Sequence, residues 1–396
     1  MDFELSEEHK LIRDTARRIA RERVAPRAAE VDATEEYPHD IFDVFRQAGL
    51  LGLSIPEEYG GSGAGFLALC LAIEEVTKYC CASGIILLLS GLSTQPILIG
   101  GTEEQKKGYP GAVARGDSKG AFCLTEPNAG SDAAAIEARA RRDGDDYILN
   151  GEKCFISGGS VADFVIAFAK TDPTAGPRGI SGFIVPTSTP GFSVARTDKK
   201  MGVRGMPTAS LLFEDCRLPR EYLLGGKEDG GFRTAMFTLS TLRPVVGARG
   251  LGLAQGALNY ALEFARSREA FGGPIANLQA IQFMFADMAI QIEAARLLVY
   301  QAACMVDQGR YQRENAAILS MSKVFATEMA VKVSSDALQI LGAQGYMQDH
   351  PLERHYRDAR QLMIVEGTSQ IQRLVIARGL VERELAYVGG AISDYA

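Results

Sequence analysis

The sequence predicts a mainly helical chain interrupted by one block of β-structure, in the order α, β, α. Three observations carry that prediction. Up to about residue 114, apolar residues recur at helical spacing, as in Leu11, Ile12, Ala16, Ile19 and Ala20. From about 120 to 225 the pattern changes to short alternating or apolar runs between Gly- and Pro-rich turns. After Gly231 the helical period returns. Ile281, Phe285, Met288, Ile292, Ala295 and Val299 step by four and three, the seam of a packed helix. Helices and strands do not alternate, which argues against a doubly wound sheet. At 396 residues the chain is too long for one ordinary core. We place the divisions at 1–119, 120–228 and 229–396.

In the first part, Ser6 caps a helix with Glu7 and Glu8 in its first turn. Pro26 ends or kinks it. A second helix is expected over 41–48, stopped by Gly49, and a Pro- and Gly-rich loop over 55–63. A third helix runs over 66–79. Residues 84–99 hold no charged side chain and read as buried, and 103–114 reads as one amphipathic helix. In the middle part, residues 136–141 alternate and 147–149 answer them across the turn Asp143-Gly144-Asp145-Asp146, a hairpin signal. Further strands are expected at 164–169, 181–185, 192–195 and 210–213. Long helices over about 231–266, 277–308, 312–342 and 351–384 with short connections predict a four-helix bundle.

Composition narrows the function. The net charge is -7 and no basic stripe appears, which argues against nucleic-acid binding. The acidic start lacks the pattern of a signal peptide, and no apolar run reads as a membrane span. The 7 cysteines include no Cys-x-x-Cys and no nearby His cluster, so reduced buried thiols in a cytoplasmic protein are expected, with no metal site. Gly247-Ala248-Arg249-Gly250-Leu251-Gly252 with Gly256 has the wrong spacing for a dinucleotide loop and follows no strand. It reads as small residues for close helix packing.

Three stretches carry chemistry. In Ile364-Val365-Glu366-Gly367-Thr368-Ser369, one carboxylate follows an apolar run. Loss of water there would raise the Glu366 pKa toward that of a general base. Gly367 allows a sharp bend, and Thr368 and Ser369 can cap the helix that follows. Read alone, the stretch is also an ordinary acidic helix start. Thr125-Glu126-Pro127-Asn128-Ala129-Gly130-Ser131-Asp132 offers hydroxyls and backbone N–H groups to a polar ring edge or phosphate, or is simply a turn. Asn150-Gly151-Glu152-Lys153-Cys154-Phe155-Ile156-Ser157 lies in a strand-like context.

Those stretches, with Arg266-Ser267-Arg268-Glu269-Ala270-Phe271-Gly272 and Glu366-Gly367-Thr368-Ser369-Gln370-Ile371-Gln372, resemble the acyl-CoA dehydrogenase family in order and spacing over about residues 3–380. The resemblance implies a helical N-terminal domain, a β-barrel-like middle domain and a C-terminal helical bundle. It also implies a homotetramer, FAD and an acyl-CoA substrate. The implied reaction is α,β-dehydrogenation to the trans-2-enoyl-CoA, with Glu366 taking the α-proton and flavin N5 the β-hydride. Electrons would pass to an electron-transferring flavoprotein. The N–H of Glu366, with a flavin ribityl hydroxyl, would bind the thioester carbonyl.

By the same resemblance, Phe122, Leu124, Thr125, Gly130 and Ser131 line the flavin edge, and Phe155 and Ser157 its other side. Thr368 and Gln370 bind adenosine or phosphate. Arg268, Phe271, Gln279, Gln339 and Gly342 reach a neighbouring subunit's FAD. Ser131, Ser240, Arg243, Val365 and Gly367 face substrate; Arg243 also reads as a surface ion pair. Three residues depart from the family pattern. Phe155 stands where many relatives carry Trp, Val365 where Tyr is frequent, and Ser240 where some carry Asp. Residues 84–99 and Val365 are expected to line the acyl pocket, which predicts a neutral acyl group rather than a dicarboxylyl one. Alternatives in the same fold are an acyl-CoA oxidase, disfavoured by the chain length, and a flavin monooxygenase, disfavoured by Glu366. A non-catalytic acyl-CoA- and FAD-binding protein is a further alternative.

Overall fold

The computed structural model describes residues 4–381, and every structural statement below concerns them. Helix α1 (Glu7–Ile19) begins at Ser6, whose Oγ accepts from the His9 N–H at 3.2 Å. The chain then loosens through a π turn, Ala20–Val24, and a short 3-10 turn holding Pro26, and resumes as α2 (Ala28–Thr34). Helix α3 (His39–Gln47) stops before Gly49, whose φ of 70° reverses the backbone as glycine readily does. Helices α4 (Gly65–Thr77) and α5 (Cys81–Gly100) form the buried centre of this part. The single helix expected over 103–114 is two, α6 (Glu103–Gly108) and α7 (Pro110–Ala114). Pro110 has no N–H to continue the ladder, so it opens a new helix.

The middle strands are β1 (Gly120–Cys123), β2 (Arg139–Asp143), β3 (Asp146–Ser157), β4 (Phe164–Lys170), β5 (Ile180–Pro186), β6 (Phe192–Thr197) and β7 (Thr208–Leu218). They form one curled sheet in the order β1-β4-β2-β3-β7-β6, with β5 on the other edge of β4. The expected hairpin is present: Asp143 pairs with Asp146 and Arg139 with Asn150. β1 was not expected as a strand. It runs parallel to β4, Gly120 opposite Phe164, and four residues leading into a loop show no period.

Helix α8 (Gly231–Ser267) opens the last part. A tight hairpin, β8 (Glu269–Ala270) and β9 (Gly273–Pro274), joins it to α9 (Gln279–Asp307). Helices α10 (Ala316–Leu341), α11 (Leu352–Leu362) and α12 (Ser369–Val381) follow. The helix expected over 351–384 is therefore broken, and the break carries Glu366; residues 382–384 lie outside the described residues.

The helices of the first and last parts share one hydrophobic core, from Ala16 and Phe45 through Ile73 and Leu87 to Val246, Val299, Val333 and Leu362. The glycines of α8 serve that packing. A Cβ on Gly252 would lie 2.1 Å from Thr77 Oγ1, and one on Gly256 2.1 Å from Lys78 O. Asp307, the last residue of α9, caps α4: the Phe66 and Leu67 N–H groups donate to its carboxylate at 2.5 and 3.0 Å. Helices α5 and α9 are long and apolar enough to cross a membrane by length and composition alone, but α5 is buried inside the fold. All seven cysteines are free, and six are buried.

Candidate active site

Glu366 sits on the turn between α11 and α12. Gln361 O accepts from the Ile364 and Val365 N–H groups at 2.9 and 3.1 Å, and Met363 O from the Ser369 N–H at 2.9 Å. These bonds force Glu366 itself into the left-handed region, φ 53°. A non-glycine residue there costs about 1–3 kcal/mol and persists only where the surroundings over-determine it. Gly367 follows at φ 91°, and a Cβ on it would lie 2.6 Å from Gln372 Nε2. Thr368 caps α12 through its Oγ1, which accepts from the Ile371 N–H at 3.3 Å.

The carboxylate is poised. Its Oε2 is buried and has no hydrogen-bond partner, and burial pushes the Glu366 pKa up to about 7, opposed by the charges of Arg249 and Lys323. Lys323, fully buried on α10, donates from Nζ to Gly367 O at 2.9 Å and so pins the turn. Burial pulls its own pKa down to about 8, while the Glu366 charge holds it up. Arg249, buried on α8, donates to Gln361 Oε1 at 2.9 Å, at the root of the same turn. Arg243 donates from Nη1 to Ala316 O at 3.1 Å, its Nε has no partner, and burial lowers it to about 10. It makes no ion pair among the described residues, so the surface-ion-pair reading does not hold there. Ser240 is buried one turn before it on α8.

A second assembly joins the loop after β1 to β3. Lys153 is 1% exposed, and its Nζ donates to Glu126 Oε1 at 2.7 Å and to Leu124 O at 3.0 Å. Glu126 also accepts from the Glu137 N–H and from the Ala138 N–H at 3.1 Å, and Thr125 O accepts from the Cys154 N–H at 2.9 Å. The β3–β7 register slips between Lys153 and Ile156. There Phe155 takes a φ of 58° and stands 63% exposed, as a bulge re-aims a side chain. Ser157 is half-buried beside it, Gly130 and Ser131 are exposed across the loop, and Phe122 packs on Phe168 with ring centroids 5.2 Å apart. The structure therefore brings residues 122–131 and 155–157 together.

Other expected site residues lie apart. Arg268, Gln279, Gln339 and Gly342 are exposed, and Phe271, at the tip of the β8–β9 hairpin, is 93% exposed with φ 54°. None hydrogen-bonds to the 124–131 loop or to Glu366 among the described residues. Gln370 is exposed on the first turn of α12, and Val365 is half-buried next to Glu366. Sequence reasoning missed Lys323 and Arg249. The signal was present for Lys323: it shares the helical face of Leu319, Ala326 and Ala330, where a charge is out of place. Arg249 was hidden among glycines.

Comparison with known proteins agrees with this geometry. The acyl-CoA dehydrogenase N-terminal domain matches residues 6–117, the middle domain 121–216 and the C-terminal domain 229–381. Acryloyl-CoA reductase (NADH) of Anaerotignum propionicum is 46% identical over 386 residues, covering 97% of each chain. Butyryl-CoA dehydrogenase of Megasphaera elsdenii superposes with a TM-score of 0.93 at 38% identity, over 96% of this chain and 100% of that one. A chain in a structure described as the electron transferring flavoprotein of Acidaminococcus fermentans also gives 0.93, at 45% identity and the same coverage. A helical fold around a central curled sheet, with these domain matches, defines a class of acyl-CoA oxidoreductases. The chain belongs to the acyl-CoA dehydrogenase family.

Proposed function

We propose that this enzyme removes the α-proton of an acyl-CoA thioester with Glu366 and forms the trans-2-enoyl-CoA. The observation that carries the reading is the sealed, unbonded Oε2 of Glu366 with its pKa near 7. Such a carboxylate is ionised in good part at neutral pH yet basic enough to take a proton from carbon, where groups near the operating pH work best. The backbone N–H of Glu366 donates to no acceptor among the described residues and is open to the thioester carbonyl, whose oxygen gains charge as the proton leaves. Lys323 and Arg249 hold the turn from two sides, fixing where Oε2 points.

FAD fits the second assembly. A Cβ on Gly130 would meet no atom within 4 Å, so backbone there is open to a ring edge. Phe155 presents an aromatic face held outward by its backbone. In this reading Phe122, Leu124, Thr125, Gly130, Ser131, Phe155 and Ser157 hold the ring, and Thr368 and Gln370 the adenosine or phosphate. When bound, FAD supplies the hydride acceptor. Ser240, Arg243, Val365 and Gly367 then border the thioester and CoA.

The exposed Arg268, Phe271, Gln279, Gln339 and Gly342 support a site completed by another subunit of a homotetramer. Helix α9 supports it too: Phe283, Ile290 and Leu297 recur every seventh residue and are 61%, 67% and 54% exposed. Since cofactor bound across an interface stabilises the oligomer by mass action, monomeric protein should lose FAD. Light scattering combined with flavin absorbance checks this, and a monomer retaining full FAD refutes it.

The reading places the enzyme in the cytoplasm and gives its electrons to an electron-transferring flavoprotein. Stopped-flow reoxidation tests the acceptor. Reduced enzyme with product bound should reoxidise slowly in air and quickly with the carrier flavoprotein. Peroxide formed in air at turnover rate would establish the oxidase reading instead.

A further inference from the structure

The buried charge around Glu366 does not balance. Arg243 and Arg249 both lie within electrostatic reach of Lys323, and Glu366 faces Arg249 and Lys323. Of the other acidic neighbours, Glu328 is committed to Arg373 at 2.5 and 2.7 Å, and Asp358, within reach of Cys81, accepts from the Val203 N–H. Arg249 is the extreme case. It is 1% exposed, and its Nε is sealed without a partner. Its Nη2 donates to Gln361 Oε1 and, at 3.5 Å, to Cys81 Sγ. Neither partner is charged: Gln361 is an amide, and burial pushes the Cys81 thiol up to about 11. Arg249 makes no ion pair with any carboxylate among the described residues.

A guanidinium cannot shed its proton to escape such a site, and a buried charge without a counter-ion is heavily penalised. An orphaned buried donor of this kind points to an anion that completes it in use. Position says which anion. Arg249 touches the first residue of α5, a helix with no charged residue along its length, and Gln361, five residues before the base. A phosphate of CoA does not suit a spot with so few free donors, whereas the planar edge of a guanidinium matches a carboxylate. The expectation of a neutral acyl group counted only residues 84–99 and Val365. Arg249 arrives from α8 and puts a cation against Cys81 and Gln361, just ahead of both stretches in sequence.

We propose that Arg249 receives a carboxylate at the far end of a short acyl chain, so that the preferred substrates are dicarboxylyl-CoA thioesters. The carboxylate takes no part in bond making; it anchors the chain so that its α-carbon meets Glu366. The proposal rests on the dehydrogenase reading above. The test is anaerobic flavin reduction in the wild-type holoenzyme, using pairs of equal length: succinyl- against butyryl-CoA, glutaryl- against valeryl-CoA, adipyl- against hexanoyl-CoA. At least one dicarboxylyl thioester should reduce the flavin about 10-fold or more faster than its neutral partner, because a site built to bond a group discriminates strongly against its absence. Arg249→Gln should lower that ratio by about 100-fold, and Arg249→Lys should restore part of it, with flavin content reporting the fold. Faster reduction by every neutral partner overturns the proposal. So does an Arg249→Gln enzyme with an unchanged ratio, which would leave Arg249 only holding Gln361. If no acyl-CoA of either kind reduces the flavin, it is the dehydrogenase reading that fails. Should the variants not fold, the wild-type pairs alone decide.

Discussion

Glu366→Gln should slow reduction of the bound flavin by about three powers of ten or more, the upper range for an acid–base group, while FAD and acyl-CoA still bind. The amide keeps the shape of the turn and removes only the base. The pH profile supplies a second reading of the same residue. Oε2 works as a carboxylate, so wild-type kcat/KM should climb as pH rises through about 7 and level off above it; the variant should show no such limb. Stability moves the other way. Glu366 has a folded-state pKa above its ordinary 4.5, so its burial is tolerated at low pH and stability is lost as pH rises between that value and about 7. Above that range, the FAD-free variant should be more stable to heat than FAD-free wild type, by at most about 3 kcal/mol. Near-normal flavin reduction by the variant would move the base elsewhere. Glu126 is no substitute, since it is held by Lys153 and two backbone N–H groups.

The second large effect is expected at that pair. Lys153→Met removes one partner of a buried ion pair and leaves Glu126 charged and Leu124 O without its donor. Breaking such a pair costs about 3–5 kcal/mol, and here it also frees the loop from β3. We expect a lower melting temperature and loss of FAD together. Adding Glu126→Gln should regain part of the stability, because an uncompensated charge is the main penalty. A single variant that melts with wild type and keeps its FAD would show that the pair does not organise the loop.

The parts of this protein readable from sequence are those specified by near neighbours. The α9 seam from Ile281 to Val299, the hairpin across Asp143 and Asp146 and the glycine packing at Gly252 and Gly256 each announce themselves within a few residues. The Glu366 turn was half legible. Its Gly and cap residues pointed to a bend, but the periodicity on both sides suggested one helix, and only the paired Gln361 and Met363 carbonyls show where it stops. The site's electrostatics were not legible. Lys323 and Gly367 are 44 residues apart, Arg249 and Gln361 112, and nothing local tells either cation what it will face. β1 was missed for the same reason, since it pairs with β4, over forty residues on.

The Asp307 cap on α4 has a bearing on how the chain reaches its fold. The two bonded groups are 241 and 240 residues apart in sequence, and the core they sit on draws on both ends of the chain. During synthesis, α4 and α5 emerge with only α1 and each other to cover an apolar surface that α8 and α9 later bury. The β block can close on itself, but the helices before it must wait for α8 and α9. Contacts of such long range make for slow folding and an exposed intermediate. The nascent chain should therefore depend on a holding chaperone until residue 307 has left the ribosome, and a fragment ending before α9 should aggregate rather than fold.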